Sequence, residues 1–89
     1  MTIGDFLFQS ARNATQNPAV DTIAIGGMVT WTWREGEHSV QSLDSPGFES
    51  SDISANPGNT FQATFASAGT YQYDCAVHGP AMTGTVVVR

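Results

Sequence analysis

Residues 69–88 run Gly69-Thr70-Tyr71-Gln72-Tyr73-Asp74-Cys75-Ala76-Val77-His78-Gly79-Pro80-Ala81-Met82-Thr83-Gly84-Thr85-Val86-Val87-Val88. From Thr70 to Ala76 the residues alternate, so Tyr71, Tyr73 and Cys75 fall on one face of a strand. From Gly84 to Arg89 a valine run closes the chain in the β-branched composition that strands prefer. His78 and Met82 lie between these two strand signals.

Outward from this stretch the period stays at two. Phe61, Ala63 and Phe65 share a face in Thr60 to Phe65, and His38 and Val40 share one in His38 to Leu43. Met28 to Trp33 alternates cleanly, with Val29, Trp31 and Trp33 on one side and Thr30 and Thr32 on the other. Val20 to Ile25 brings Ile23 and Ile25 together before Gly26-Gly27, and Ile3 to Phe8 puts Phe6 with Phe8. Turn chemistry separates the runs at Arg34-Glu35-Gly36-Glu37, Ser45-Pro46-Gly47, Asn56-Pro57-Gly58-Asn59 and Ser67-Ala68-Gly69. No stretch has sustained helical periodicity, and the polar segment Gln9 to Ala19 reads as a loop or a short helical turn. About seven short strands with frequent turns predict an all-β, antiparallel β-sandwich rather than βαβ units.

Eighty-nine residues make one domain, residues 1–89, because so short a chain cannot support two cores. Its hydrophobic share of 40% suffices for a core, while only 12% of residues are charged. Lysine is absent, and Arg12, Arg34 and Arg89 are the only strong bases against a net charge of −5. Phosphate binding needs clustered Lys and Arg, so no nucleic-acid partner is expected. Anionic membrane surfaces are disfavoured for the same reason, and no apolar stretch is long enough to cross a bilayer. No secretory signal is present, so for the expected extracytoplasmic location (periplasmic, secreted or cell-surface) the leader is absent from these residues. Asn13-Ala14-Thr15 matches the glycosylation pattern, a match short enough to arise by chance.

With Cys75 the only cysteine, a disulfide within the chain is impossible. The thiol is then a core residue, an intermolecular partner, a nucleophile or a metal ligand. A lone strand cysteine is most often inert, a lone histidine most often solvated, and a methionine beside a strand most often core. Those readings leave unexplained why the only cysteine, both histidines and Met82 form one ligand pattern. Cys75 and His78 are separated by two residues, Met82 follows after three more, and His38 comes from a distant strand. Two imidazoles and a thiolate in a trigonal set, with a weak axial thioether, suit a mononuclear copper ion. Little change in geometry between Cu(I) and Cu(II) keeps the barrier to electron transfer small.

The segment from Gly69 to Val88 resembles the C-terminal signature of the cupredoxins, the blue (type 1) copper proteins, in the plastocyanin and amicyanin group. Ile25-Gly-Gly-Met-Val-Thr-Trp31-Thr-Trp33, followed by Glu37-His38-Ser39-Val40, is similar to the strand leading to their first histidine ligand. Phe48-Glu-Ser-Ser51 and the strand from Thr60 to Phe65 also fit, so the resemblance covers most of the chain from about Val20 onward. It implies a Greek-key β-sandwich of seven to eight strands holding one copper. It further implies one-electron transfer between protein partners. His38, Cys75 and His78 would be the equatorial ligands and Met82 the axial thioether. The ring edge of His78, among Gly79, Pro80 and Ala81, would be the docking point for a redox partner such as a cytochrome or a copper or haem oxidoreductase. A monomer is expected.

Two positions depart from that pattern. Ser39 stands where the family commonly has Asn, and three residues separate His78 from Met82, against four in plastocyanins and two in amicyanins. Other metal classes fit less well. A dinuclear electron-entry centre needs two cysteines, multicopper oxidases need more histidines, and a thioether is a poor zinc ligand. A Cys–His nucleophile lacks the oxyanion and base-orienting groups of an enzyme, so no enzyme is expected. The alternative function is a copper-binding module for delivery, storage or sensing. Glu35, Glu37, Asp44, Glu49 and Asp52 cluster around the first ligand strand, as simple solvation or as steering toward a basic partner.

Overall fold

Period-two patterning over β-branched and aromatic residues yields strands throughout. The computed structural model has β1 (Thr2–Gly4), β2 (Leu7–Gln9), β3 (Ala19–Ile23), β4 (Met28–Trp33), β5 (Gln41–Ser42), β6 (Thr60–Thr64), β7 (Gly69–Cys75) and β8 (Gly79–Val88). It describes residues 1–4, 7–10, 12–16, 18–43 and 47–89, with the backbone alone for 80 and 81. The expected pairing of Phe6 with Phe8 and the turn at Ser45-Pro46 lie outside the described residues.

Two four-stranded sheets face each other, ordered β2-β1-β4-β6 and β3-β8-β7-β5. The sandwich and its strand number are as expected, but the sheets are mixed. β1 runs parallel to β4 and β3 parallel to β8, while the other pairs are antiparallel. Side-chain alternation has the same period in either direction, so it carries no information on strand polarity. The parallel pairs join segments far apart in the chain, the connection that local turn chemistry cannot reveal.

Four local readings change. The run from Ile3 to Phe8 is not one strand: β1 and β2 pair antiparallel, with Ile3 opposite Phe8 and both buried. β3 ends at Ile23, and Ile25 is 57% exposed in the turn before Gly27; the inward positions of β3 are Ala19 and the carboxylate Asp21. His38 does not begin a regular strand. It bridges Ser54 by reciprocal backbone bonds of 2.9 Å, and His38, Ser39 and Val40 are all buried. Covered on both sides, that segment loses the alternation expected of it. Finally, β8 starts at Gly79, five residues ahead of the valine run. The polar segment is a loop with a turn at Arg12-Asn13 among its described residues.

The interior is aromatic. Trp31 lies flat against Phe48 at 5.7 Å and edge-on to Tyr73 at 5.3 Å, and Phe8 meets Tyr73 edge-on at 4.8 Å. Such offset and edge contacts add to the area buried. Tyr73 faces Gly84 across the β7–β8 pair, where any Cβ on residue 84 would overlap the phenol ring. Glycine at 84 thus leaves the space on β8 that the Tyr73 ring fills. Burial also pushes the Tyr73 hydroxyl pKa upward, and that hydroxyl donates to the Met1 sulfur at 3.5 Å.

Candidate metal centre

Cys75 ends β7 on the inward parity set by Tyr71 and Tyr73, and its side chain is fully buried. A register shift between Asp74 and Cys75 then pairs Cys75 with Gly79, so residues 76–78 turn tightly and carry His78 back beside the thiol. Gly79 has φ of 59°, a left-handed conformation that glycine adopts without steric cost. His38 comes from the segment bridged to Ser54 and is fully buried. Its carbonyl accepts from the Trp33 indole nitrogen at 3.0 Å.

Three donor atoms converge. The Nδ1 atoms of His38 and His78 are 3.2 Å apart, and Cys75 Sγ lies 3.8 Å from the first and 3.5 Å from the second. One shared proton can satisfy only one of these contacts, whereas a cation among them satisfies all three. The point equidistant from the three atoms lies about 2.0 Å from each, on the scale of bonds from imidazole nitrogen to a divalent ion. Two nitrogens and one soft sulfur in a triangle match the donor preference of copper. Among the described residues this is the cluster of His, Cys, Asp and Glu able to hold a metal.

Met82 is placed differently from a loop ligand. It lies inside β8, fully buried, between Gly79, which pairs with Cys75, and Thr83, which pairs with Asp74. Its parity is that of Gly84, Val86 and Val88, all buried.

Several supports had no signal in the sequence. Ser39, notable there only as a departure from the family pattern, is buried, and its Oγ accepts from the Ala76 N–H at 2.9 Å. That bond ties the residue after one histidine to the residue after the thiol. Trp33, which the sequence placed on one face with Val29 and Trp31, also anchors His38. Asp74 is buried beside Cys75, and desolvation pushes its carboxyl pKa up. His78 is half-buried and its chain neighbour Val77 is 42% exposed; Ile53, next to the Ser54 that bridges His38, is also exposed. The expected contribution of the Pro80 and Ala81 side chains lies outside what is described. Glu35, Glu37, Glu49 and Asp52 are exposed, and Asp44 is outside the described residues. No helix among the described residues is long and apolar enough to cross a membrane.

The pattern of the copper binding proteins of the plastocyanin/azurin family matches residues 11–89. A chloroplastic plastocyanin of Tetradesmus obliquus is 33% identical over 82 residues, covering 81% of this chain; the match spans 57% of the plastocyanin's own length. Amicyanin-alpha of Methylorubrum extorquens is 38% identical over 83 residues, covering 89% of this chain and 67% of its own. Among solved structures, a purple cupredoxin from Nitrosopumilus maritimus superposes with a TM-score of 0.73 at 30% identity, covering 97% of this chain and 92% of its own.

Proposed function

The chain belongs to the plastocyanin/azurin family of copper binding proteins, and from that premise we propose that it is a blue copper carrier passing one electron at a time between redox proteins. Copper is its cofactor. His38, Cys75 and His78 would hold the ion through their imidazole nitrogens and thiolate, and Met82 would supply a thioether sulfur. The whole of residues 1–89 serves as one copper domain. The observation that carries this reading is the convergence of two imidazole nitrogens and one thiol sulfur to within 3.8 Å of one another.

Copper in such a donor set cycles between Cu(I) and Cu(II), soft sulfur favouring the first state and imidazole the second. The chain's own part is to keep the donors still. Trp33 and Ser54 grip the backbone of His38, while Ser39 grips that of Ala76. A donor set that cannot relax leaves little reorganisation to slow the transfer. His78 is the one ligand that solvent reaches, and the exposed apolar side chain of its chain neighbour Val77 adds to a small docking face there. A transient partner suits so small a patch. The carrier acts as a monomer outside the cytoplasm.

Loading with Cu(II) is expected to give an intense visible thiolate-to-copper absorption, abolished in Cys75→Ser. A colourless loaded protein rules out the ligand assignment. Reversible one-electron titration with fast self-exchange supports a carrier. Rapid surrender of copper to an acceptor protein supports delivery or storage instead.

A further inference from the structure

β3 pairs with β8 along one side only, and its other side meets no strand among the described residues. In a parallel pair the N–H and C=O of one residue point the same way. Ala19, Asp21 and Ile23 face β8, as the bond from Arg89 N–H to the Ile23 carbonyl at 3.0 Å shows. Val20 and Thr22 therefore point outward. An open edge of this kind is a template for pairing with another chain.

Side chains take both outward groups of Val20 and the carbonyl of Thr22. Val20 N–H donates to Thr15 Oγ1 at 2.8 Å, and the Val20 carbonyl accepts from Asn13 Nδ2 at 2.8 Å. The Thr22 carbonyl accepts from the Arg12 guanidinium at 3.2 Å. The segment supplying them is itself built. Ser10 Oγ donates to buried Asp21 at 2.7 Å and accepts from the backbone N–H groups of Arg12 and Asn13 at 3.1 and 3.2 Å. Ser10 N–H donates to the Thr15 carbonyl at 2.9 Å, and the Thr15 hydroxyl donates to Asn13 Oδ1 at 2.6 Å. Ala14 is held at φ of 61°, a conformation costly for a residue with a Cβ and kept only where its surroundings over-determine it.

We propose that residues 12–16, anchored at Ser10, are an edge clasp whose side chains imitate a neighbouring strand and so stop β3 from pairing with β3 of a second copy. The polar residues of Asn13-Ala14-Thr15 serve this contact. A carrier that docks transiently and repeatedly depends on such a guard, because pairing through a bare edge would be long-lived.

The test compares the copper-loaded double variant Asn13→Ala/Thr15→Val with Thr15→Ser, by amide hydrogen exchange at Val20 and by sedimentation over a range of concentrations. Exchange at Val20 should quicken about tenfold in the double variant, and a concentration-dependent dimer should form with the visible spectrum unchanged. Thr15→Ser keeps the hydroxyl and should match the parent. Adding Thr22→Lys places a charge on the exposed edge and should restore the monomer. A double variant that stays monomeric at millimolar concentration overturns the proposal, whatever Val20 exchange does. Association that Thr22→Lys fails to reverse also overturns it. Where the double variant does not fold, the near-isosteric Thr15→Val alone should quicken Val20 exchange and dimerise, and a monomeric Thr15→Val overturns the proposal in the same way.

Discussion

Ser39 joins two ligand segments that lie 37 positions apart in the chain through one bond to the Ala76 N–H. Replacing it with alanine removes the acceptor of that part-buried bond, while Ala76 itself is exposed. Ser39→Ala should therefore lower the stability of the apoprotein by about 0.5–1.5 kcal/mol, read by chemical denaturation. A change within error would mean that Ala76 finds another acceptor. Asp74 poses a different balance. Desolvation raises its carboxyl above the ordinary value of 3.8, so the folded chain holds that proton more tightly than the unfolded chain. The penalty is therefore absent at lower pH and grows as pH rises from that ordinary value through the folded one. Asp74→Asn should leave the apoprotein at least as stable at neutral pH, and should flatten its pH dependence in the acid range. A loss of stability at neutral pH would show that the carboxylate is held by a favourable contact instead.

At the level of elements, β7 and β8 form the hairpin on which the metal centre is built. β7 points Tyr71, Tyr73 and Cys75 inward, and β8 returns Met82, Gly84, Val86 and Val88 against the same interior. Tyr73 links the aromatic core to the thiol two positions along. The space at Gly84 is what Tyr73 occupies. Gly84→Ala forces either the ring or the strand to move, a strain of about 1–3 kcal/mol or more. The apoprotein's Tm should fall by roughly 4–8 °C per kcal/mol lost, measured by calorimetry. Because Gly84 pairs with Tyr73, the shift should reach Cys75 as well and alter the visible spectrum of the copper form. An unchanged spectrum with a lowered Tm would confine the damage to the core.

For the whole molecule, the net charge of −5 over 89 residues is carried on a surface nearly free of cations. Glu35, Glu37, Glu49 and Asp52 are all exposed. If they steer a basic redox partner, the second-order rate of electron transfer should drop about tenfold from low to physiological ionic strength. A rate flat against salt would leave these carboxylates with solvation alone, and would place recognition on the apolar residues around His78.

Much of the molecule is legible in the chain itself. The alternation of Val29, Trp31, Trp33, Tyr71 and Tyr73 marks the inward faces, since a side chain's choice between core and water is local and repeats every second residue. The donor types at Cys75, His78, Met82 and His38 fit the proposed copper site, since coordination chemistry resides in the side chains themselves. What folding alone decides is everything that joins distant residues. The parallel pairings of β1 with β4 and of β3 with β8 leave no periodic trace. The bridge of His38 to Ser54, the Ser39 bond to Ala76 and the side-chain clasp on β3 each depend on two segments meeting in space. Composition and period describe one segment's surroundings on average. Only tertiary structure pairs particular donors with particular acceptors, and it is that pairing which sets three ligand atoms a bond length from a common point.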